Sequence, residues 1–156
     1  LRRDEVTEVV NCHLHFDHCG GNPLLARRPF FVQSAELAEA RSTVDYTLPE
    51  LVDPPGTRWE ELSGGAEIIP GVHVVPTPGH TPGHQSLVVR RGDGVVVVAG
   101  QSHDSAHAYA SDVLALRAHE ADHGEPLPLA PEWMAVLDAL DPRYVVFAHD
   151  HSIWIP

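Results

Sequence analysis

His13-Leu14-His15-Phe16-Asp17-His18 places three imidazoles and a carboxylate within six residues, and this run decides how the rest of the chain reads. In an extended segment His13 and His15 share one face, whereas Asp17 and His18 need a turn to converge on them. Imidazole and carboxylate donors together suit zinc, manganese or iron. Upstream, Glu5 to Cys12 with Val6 and Val9-Val10 reads as a buried strand that delivers the chain to the cluster. Downstream, Cys19-Gly20-Gly21-Asn22-Pro23 punctuates a turn.

Two more histidines follow strand-like runs: His80 in Thr77-Pro78-Gly79-His80-Thr81-Pro82-Gly83-His84, and His149 after Tyr144-Val145-Val146-Phe147-Ala148. Histidines at strand ends can be presented by a rigid sheet to one shared edge. A structural zinc site closes with four protein ligands and often uses thiolate, but the donors here are enough for two ions. A centre that activates water is the better match. Taken singly, His84, His103, His107, His119, His123 and His151 read as surface or supporting groups. Cys12 and Cys19 read as small buried residues.

Phe30 to Gln33 is expected to be a strand, followed by a helix to about Arg41 with Ser34 as its N-cap. Residues 42 to 64, with Pro49, Pro54, Pro55 and Gly56, read as an irregular surface excursion. Ala66–Ile69, Val72–Val75, Gln85–Arg90 and Val95–Ala99 read as an antiparallel sheet, with turns at Pro70-Gly71, Pro78-Gly79 and Gly92-Asp93-Gly94. Helical spacing follows over Tyr109–His119 and Glu132–Leu140, separated by a loop with Pro126 and Pro128, and Tyr144–Ala148 closes the pattern as a strand. Strands, then helices, then a strand predict a layered α/β (α+β) domain.

The 156 residues suffice for one domain with a real core. Ten arginines and no lysine stand against 22 acidic residues, a formal charge of -12 that repels a phosphate backbone and excludes nucleic acid as partner. No apolar run approaches the roughly 20 residues that span a bilayer, so no membrane partner is expected. No signal-peptide pattern stands at the N-terminus, and a cytoplasmic location is the expectation.

The run His13-Leu14-His15-Phe16-Asp17-His18 resembles the His-X-His-X-Asp-His motif of the metallo-β-lactamase superfamily. Val10-Asn11-Cys12-His13 through Gly20-Gly21-Asn22, and Pro78-Gly79-His80-Thr81-Pro82-Gly83-His84-Gln85-Ser86, look most like its N-acyl-homoserine-lactonase-like branch. The resemblance implies a four-layer αββα sandwich. Because family members are longer and this chain begins at Leu1, residues 1–156 are expected to be a partial domain, the later part of the fold with most of the first sheet half missing. It also implies that His13, His15 and His80 surround one metal ion and that Asp17, His18 and His149 surround the other. Two Zn2+ ions are implied, with a single ion, Mn2+ or Fe2+ as alternatives.

One position departs from the family. A carboxylate bridging the metals is expected where this chain reads Val97-Val98-Ala99-Gly100-Gln101, and Gln101 offers only a neutral oxygen. Asp104 stands where lactonase-like enzymes often place a tyrosine. The activity implied is hydrolysis of a small-molecule ester or lactone through metal-activated hydroxide. Asp17 is the catalytic candidate for orienting water and passing a proton to the leaving oxygen. Asn11 and Thr81 are candidates for holding the histidines. The alternatives are a thioester hydrolase of the glyoxalase II kind and a degenerate, non-catalytic metal-binding domain. A dimer is compatible with the sequence.

Overall fold

The computed structural model of the chain describes residues 2–121 and 130–156. A single 3-10 turn, Arg3–Glu5, precedes β1 (Val9–Val10), α1 (Phe16–Cys19), α2 (Asn22–Leu25), β2 (Pro29–Gln33), α3 (Ser34–Ser42), α4 (Pro49–Val52) and β3 (Arg58–Leu62). There follow β4 (Ala66–Ile69), β5 (Val72–Pro76), β6 (Gln85–Arg91), β7 (Gly94–Val98), α5 (Ala106–Glu120), α6 (Trp133–Asp138), β8 (Pro142–Val146) and β9 (Ile153–Trp154).

These strands form two sheets. The first, in the order β1-β2-β3, is wholly parallel, with Val9 opposite Phe30 and Phe30 opposite Trp59. The second runs β4-β5-β6-β7-β8-β9 and is antiparallel except where β7 meets β8. A parallel pair needs a crossover connection, and the chain between β7 and β8 carries α5 and α6.

Alternation along each strand decides which face meets helices and which meets the other sheet. Val32 of β2 packs with Leu37 of α3, Val52 of α4, Leu14 and Cys19. Its neighbour Gln33 points the opposite way and donates to Gln85 of β6 at 2.8 Å. In the second sheet Val88, Val97 and Val145 pack with Tyr109 and Val113 of α5 and with Met134 and Leu137 of α6. The layers are therefore helix, sheet, sheet, helix. Each fully buried Val or Leu in these clusters contributes about 1.5–3 kcal/mol by leaving water. Between the sheets Gln85 is buried, and its amide also donates to the Asn11 carbonyl at 2.9 Å, so its buried polar atoms are satisfied.

The expectation of a sandwich lacking most of its first sheet half is corrected by this arrangement. Both sheets and both helix layers are present. The stretch read as irregular, residues 42 to 64, contains α4 and β3, which supply the first sheet's third strand and part of its helix cover. β3 reads Arg-Trp-Glu-Glu-Leu and is half-exposed at a sheet edge, so it carries no run of β-branched residues to announce it. A smaller correction concerns α3: Gln33 is the N-cap and Ser34 is the first helical residue. The sheet over β4 to β7, the helices α5 and α6 and the strand β8 form where the sequence predicts them, with ends shifted by a few residues. The loop with Pro126 and Pro128, and His123, lie outside the described residues.

Among the described residues no helix is long and apolar enough to cross a membrane. β1 and β8 end at one edge of the sandwich, where the β5–β6 connection also turns. The Gln85 backbone N–H donates to the Cys12 carbonyl at 2.9 Å and the Ala148 N–H to the Gly100 carbonyl at 2.8 Å, pinning these ends together.

Candidate metal centre

Each histidine of the opening motif is placed by a different local device. His13 follows β1 in extended chain and is fully buried, with Leu14 driven into the first helix layer's core beside it. At His15 the chain turns: the His18 and Cys19 amides return to the His15 carbonyl at 2.9 and 3.1 Å, starting α1 and swinging Asp17 and His18 back over the motif. His80 stands in the β5–β6 connection, and His149 follows β8. Gly100 is required by this crowding. Its φ is +61°, and an added Cβ would lie 2.7 Å from His84 Nε2 and 2.9 Å from Cys12 Cβ.

The side chains converge as two triads. In His13, His15 and His80, and likewise in Asp17, His18 and His149, one donor atom per residue lies within 4.8 Å of the others. His80 Nε2 is 3.1 Å from His15 Nδ1. In the second triad His18 Nε2 lies 2.9 Å from His149 Nε2, and Asp17 Oδ2 is 3.3 Å from the former and 3.4 Å from the latter. Donors about 2.0–2.1 Å from a tetrahedral ion are separated by about 3.4 Å, so these spacings fit metal coordination. The strongest sign is His13: both its ring nitrogens are buried, and neither has a hydrogen-bond partner among the described residues. Buried imidazole nitrogens normally find partners, and a cation is the partner this geometry suits.

Electrostatics prepares the same chemistry. Burial pushes His13 down to about 2 from an ordinary 6.5, helped by the neighbouring imidazoles of His18, His84, His15 and His80. Burial also lowers His18 and His80. At neutral pH these rings are uncharged and present lone pairs, the form that ligates metal. Burial raises the Cys12 thiol to about 11 and raises Cys19 as well, so neither is a thiolate.

Of the remaining sequence candidates, Gln101 is half-buried, and its backbone N–H donates to His84 Nε2 at 3.0 Å. Asp104 is exposed and joins neither triad. Asn11 donates to the His18 carbonyl at 3.4 Å, holding the backbone of the motif rather than an imidazole ring. Thr81 donates to Glu36 Oε2 at 2.5 Å. His103 pairs with Asp112 at 3.0 Å, while His107, His119 and His151 are exposed.

Two residues at the site escaped the sequence reading, and a third, His84, reads there only as a surface or supporting group. Glu36 and Tyr46 lie behind the first triad, and His84 is fully buried and pushed down to about 4, chiefly by burial. Glu36 stands in a good helix-forming run, and its composition gives no hint of a buried carboxylate. Gly83 marks the contact only once the chain is folded: an added Cβ would meet the Glu36 backbone nitrogen at 2.1 Å.

The sequence profile of the metallo-beta-lactamase superfamily matches residues 1–149. The chain belongs to the metallo-beta-lactamase superfamily. An N-acyl homoserine lactonase of Bacillus sp. is 41% identical over 86 residues, 55% of this chain and 34% of the relative. The N-acyl homoserine lactonase AttM of Rhizobium radiobacter is 35% identical over 97 residues, 55% of this chain and 36% of the relative. Among solved structures, an N-acyl homoserine lactone hydrolase with N-hexanoyl-L-homoserine bound at its catalytic metal center superposes with TM-score 0.74 at 26% identity. That match covers 97% of this chain and 58% of the other. The chain thus spans about a third of the length of these curated relatives. The superfamily match over residues 1–149 and the superposition over 97% of the chain also overturn the expectation of a missing first half: the αββα layers extend over nearly the whole of this chain.

Proposed function

We propose that this chain is a metal-dependent hydrolase that opens a lactone or cleaves a related carboxylic ester. The observation that carries the reading is the convergence of the two triads around the partnerless nitrogens of His13. The likeness to N-acyl homoserine lactonases supports a lactone as the substrate class.

In this reading His13, His15 and His80 hold one ion, and Asp17, His18 and His149 hold the second. The nitrogen-rich donor set favours zinc. Bound ions supply Lewis acidity, which lowers the pKa of water and polarises a carbonyl. The chain's own residues do the rest. Asp17 is exposed and lies 3.3 and 3.4 Å from the two imidazoles of its triad, so it is placed to orient water at the open side and carry a proton to the departing alkoxide. Phe16 is 63% exposed in the middle of the motif and offers apolar surface to an acyl group. Gln101 supplies no charge, so the six ligands bring only one carboxylate against two divalent ions. A cytoplasmic setting is part of the proposal, supported by the free thiols Cys12 and Cys19.

The test is metal content by elemental analysis after dialysis, with hydrolysis of an N-acyl homoserine lactone and a simple aryl ester followed before and after chelation. About two ions per chain, and activity that is lost with a chelator and restored by zinc, are expected. A folded chain that retains no metal sinks the reading.

A further inference from the structure

Glu36 is a carboxylate with no exposed surface, in the first turn of α3, outside both triads. Its Oε1 accepts the backbone N–H of Leu14 at 2.7 Å and also the hydroxyl of Tyr46. Its Oε2 accepts the hydroxyl of Thr81 at 2.5 Å. Leu14 is the residue between His13 and His15, and Thr81 is the residue after His80. The Tyr46 ring in turn packs on the His15 ring, with centroids 4.6 Å apart. A single carboxylate therefore binds the chain beside all three histidines of one triad. None of its hydrogen bonds reaches Asp17, His18 or His149.

We propose that Glu36 is the positioning residue of the His13–His15–His80 triad, fixing the separation of its two ligand loops and supplying from behind the negative charge that the triad lacks. The proposal rests on the reading that this triad holds an ion. The loops are distant in sequence, and no backbone hydrogen bond among the described residues ties the His13–His15 segment directly to His80. Behind the Gln85–Cys12 bond that joins the bases of these loops, Glu36 is the partner they share beside the ligands themselves. The close seat of Gly83 against the Glu36 backbone, which leaves no room for a Cβ, holds α3 against the His80 loop at the same point.

The charges around Glu36 point the same way. Among the described residues Glu36 has no ion-pair partner, and its three donors are neutral. A buried ionised carboxylate is expensive unless hydrogen bonds and a nearby cation compensate it. The Asp17 triad has its own carboxylate, whereas the other is made only of imidazoles. A cation there would meet a buried compensating charge in Glu36, relayed through hydrogen bonds that also stiffen the ligand segments.

The experiment is stepwise removal of Co2+ or Zn2+ from the protein by a chromogenic chelator, read as two release constants, for the parent chain and for Glu36→Gln, Thr81→Val and Tyr46→Phe. Glu36→Gln keeps the volume and one acceptor oxygen, removes the charge and replaces the other acceptor with an NH2 donor, and it is expected to weaken one ion roughly tenfold or more while leaving the other within about twofold. Thr81→Val detaches only the His80 loop and should weaken the same ion by less. It keeps the test intact if the Gln variant does not fold. A parent chain that binds no metal removes the functional reading itself. A parent that binds two ions, with variants that hold both as tightly, overturns the role of Glu36. Equal weakening of both ions also overturns it, because that marks general support of the fold.

Discussion

Acid should destabilise the metal-free chain well above the pH at which its carboxylates protonate. His13 and His84 are fully buried, and burial pushes them down to about 2 and about 4 from 6.5. Both folded values lie below the unfolded one, so their contribution to stability is complete above pH 6.5 and is lost as the pH falls toward the folded values. Unfolding then takes up protons that the native rings refuse. At pH 5.5 an unfolded imidazole is roughly ten-elevenths protonated and the buried rings remain almost wholly neutral, so each residue forfeits about 1.4 kcal/mol. Together the loss is about 3 kcal/mol, against a total stability of about 5–15 kcal/mol for an ordinary domain. His18 and His80 are lowered too and act with the same sign. Urea titrations monitored by tryptophan fluorescence at pH 7.5 and 5.5 would measure this. With a denaturant dependence of about 2 kcal/mol per molar, the midpoint should fall by about 1.5 M. A midpoint that stays constant or rises in acid would refute the account of these rings as buried and neutral. His84→Asn should remove about half of the effect.

Gln101→Asp restores a charged oxygen where the sequence has a neutral one, and it should tighten the more weakly held ion by at least about tenfold in competition with a chelator; unchanged affinity would place residue 101 outside the metal centre. Gly83→Ala drives a Cβ to within 2.1 Å of the Glu36 backbone nitrogen, and a loss of about 2–3 kcal/mol in urea unfolding is expected, measured against the parent at pH 7.5.

Much of the centre was legible because metal ligands are written as residue types at fixed spacings. His13, His15, Asp17 and His18 stand in one run, and a turn of four residues suffices to fold Asp17 and His18 back. His80 and His149 were visible as histidines that end strand-like runs. Strong β patterns such as Val95-Val96-Val97-Val98 marked the second sheet, since a continuous β-branched run favours a strand. β3 went unread because an edge strand can keep charged residues toward water, and its existence depends on pairing with β2.

The sequence by itself determined which side chains are candidate metal ligands, that they stand on separate segments, and that a layered α/β domain carries them. Only the tertiary structure brought these donors together as two triads and showed that the first sheet has its third strand. It alone showed that Glu36, 22 residues from Leu14 and 45 from Thr81, stands between two ligand loops. Local preference governs strands and turns within a few residues. The partners of a buried carboxylate are chosen by packing across the whole chain, where the requirement to satisfy every buried polar atom operates in space rather than along the sequence.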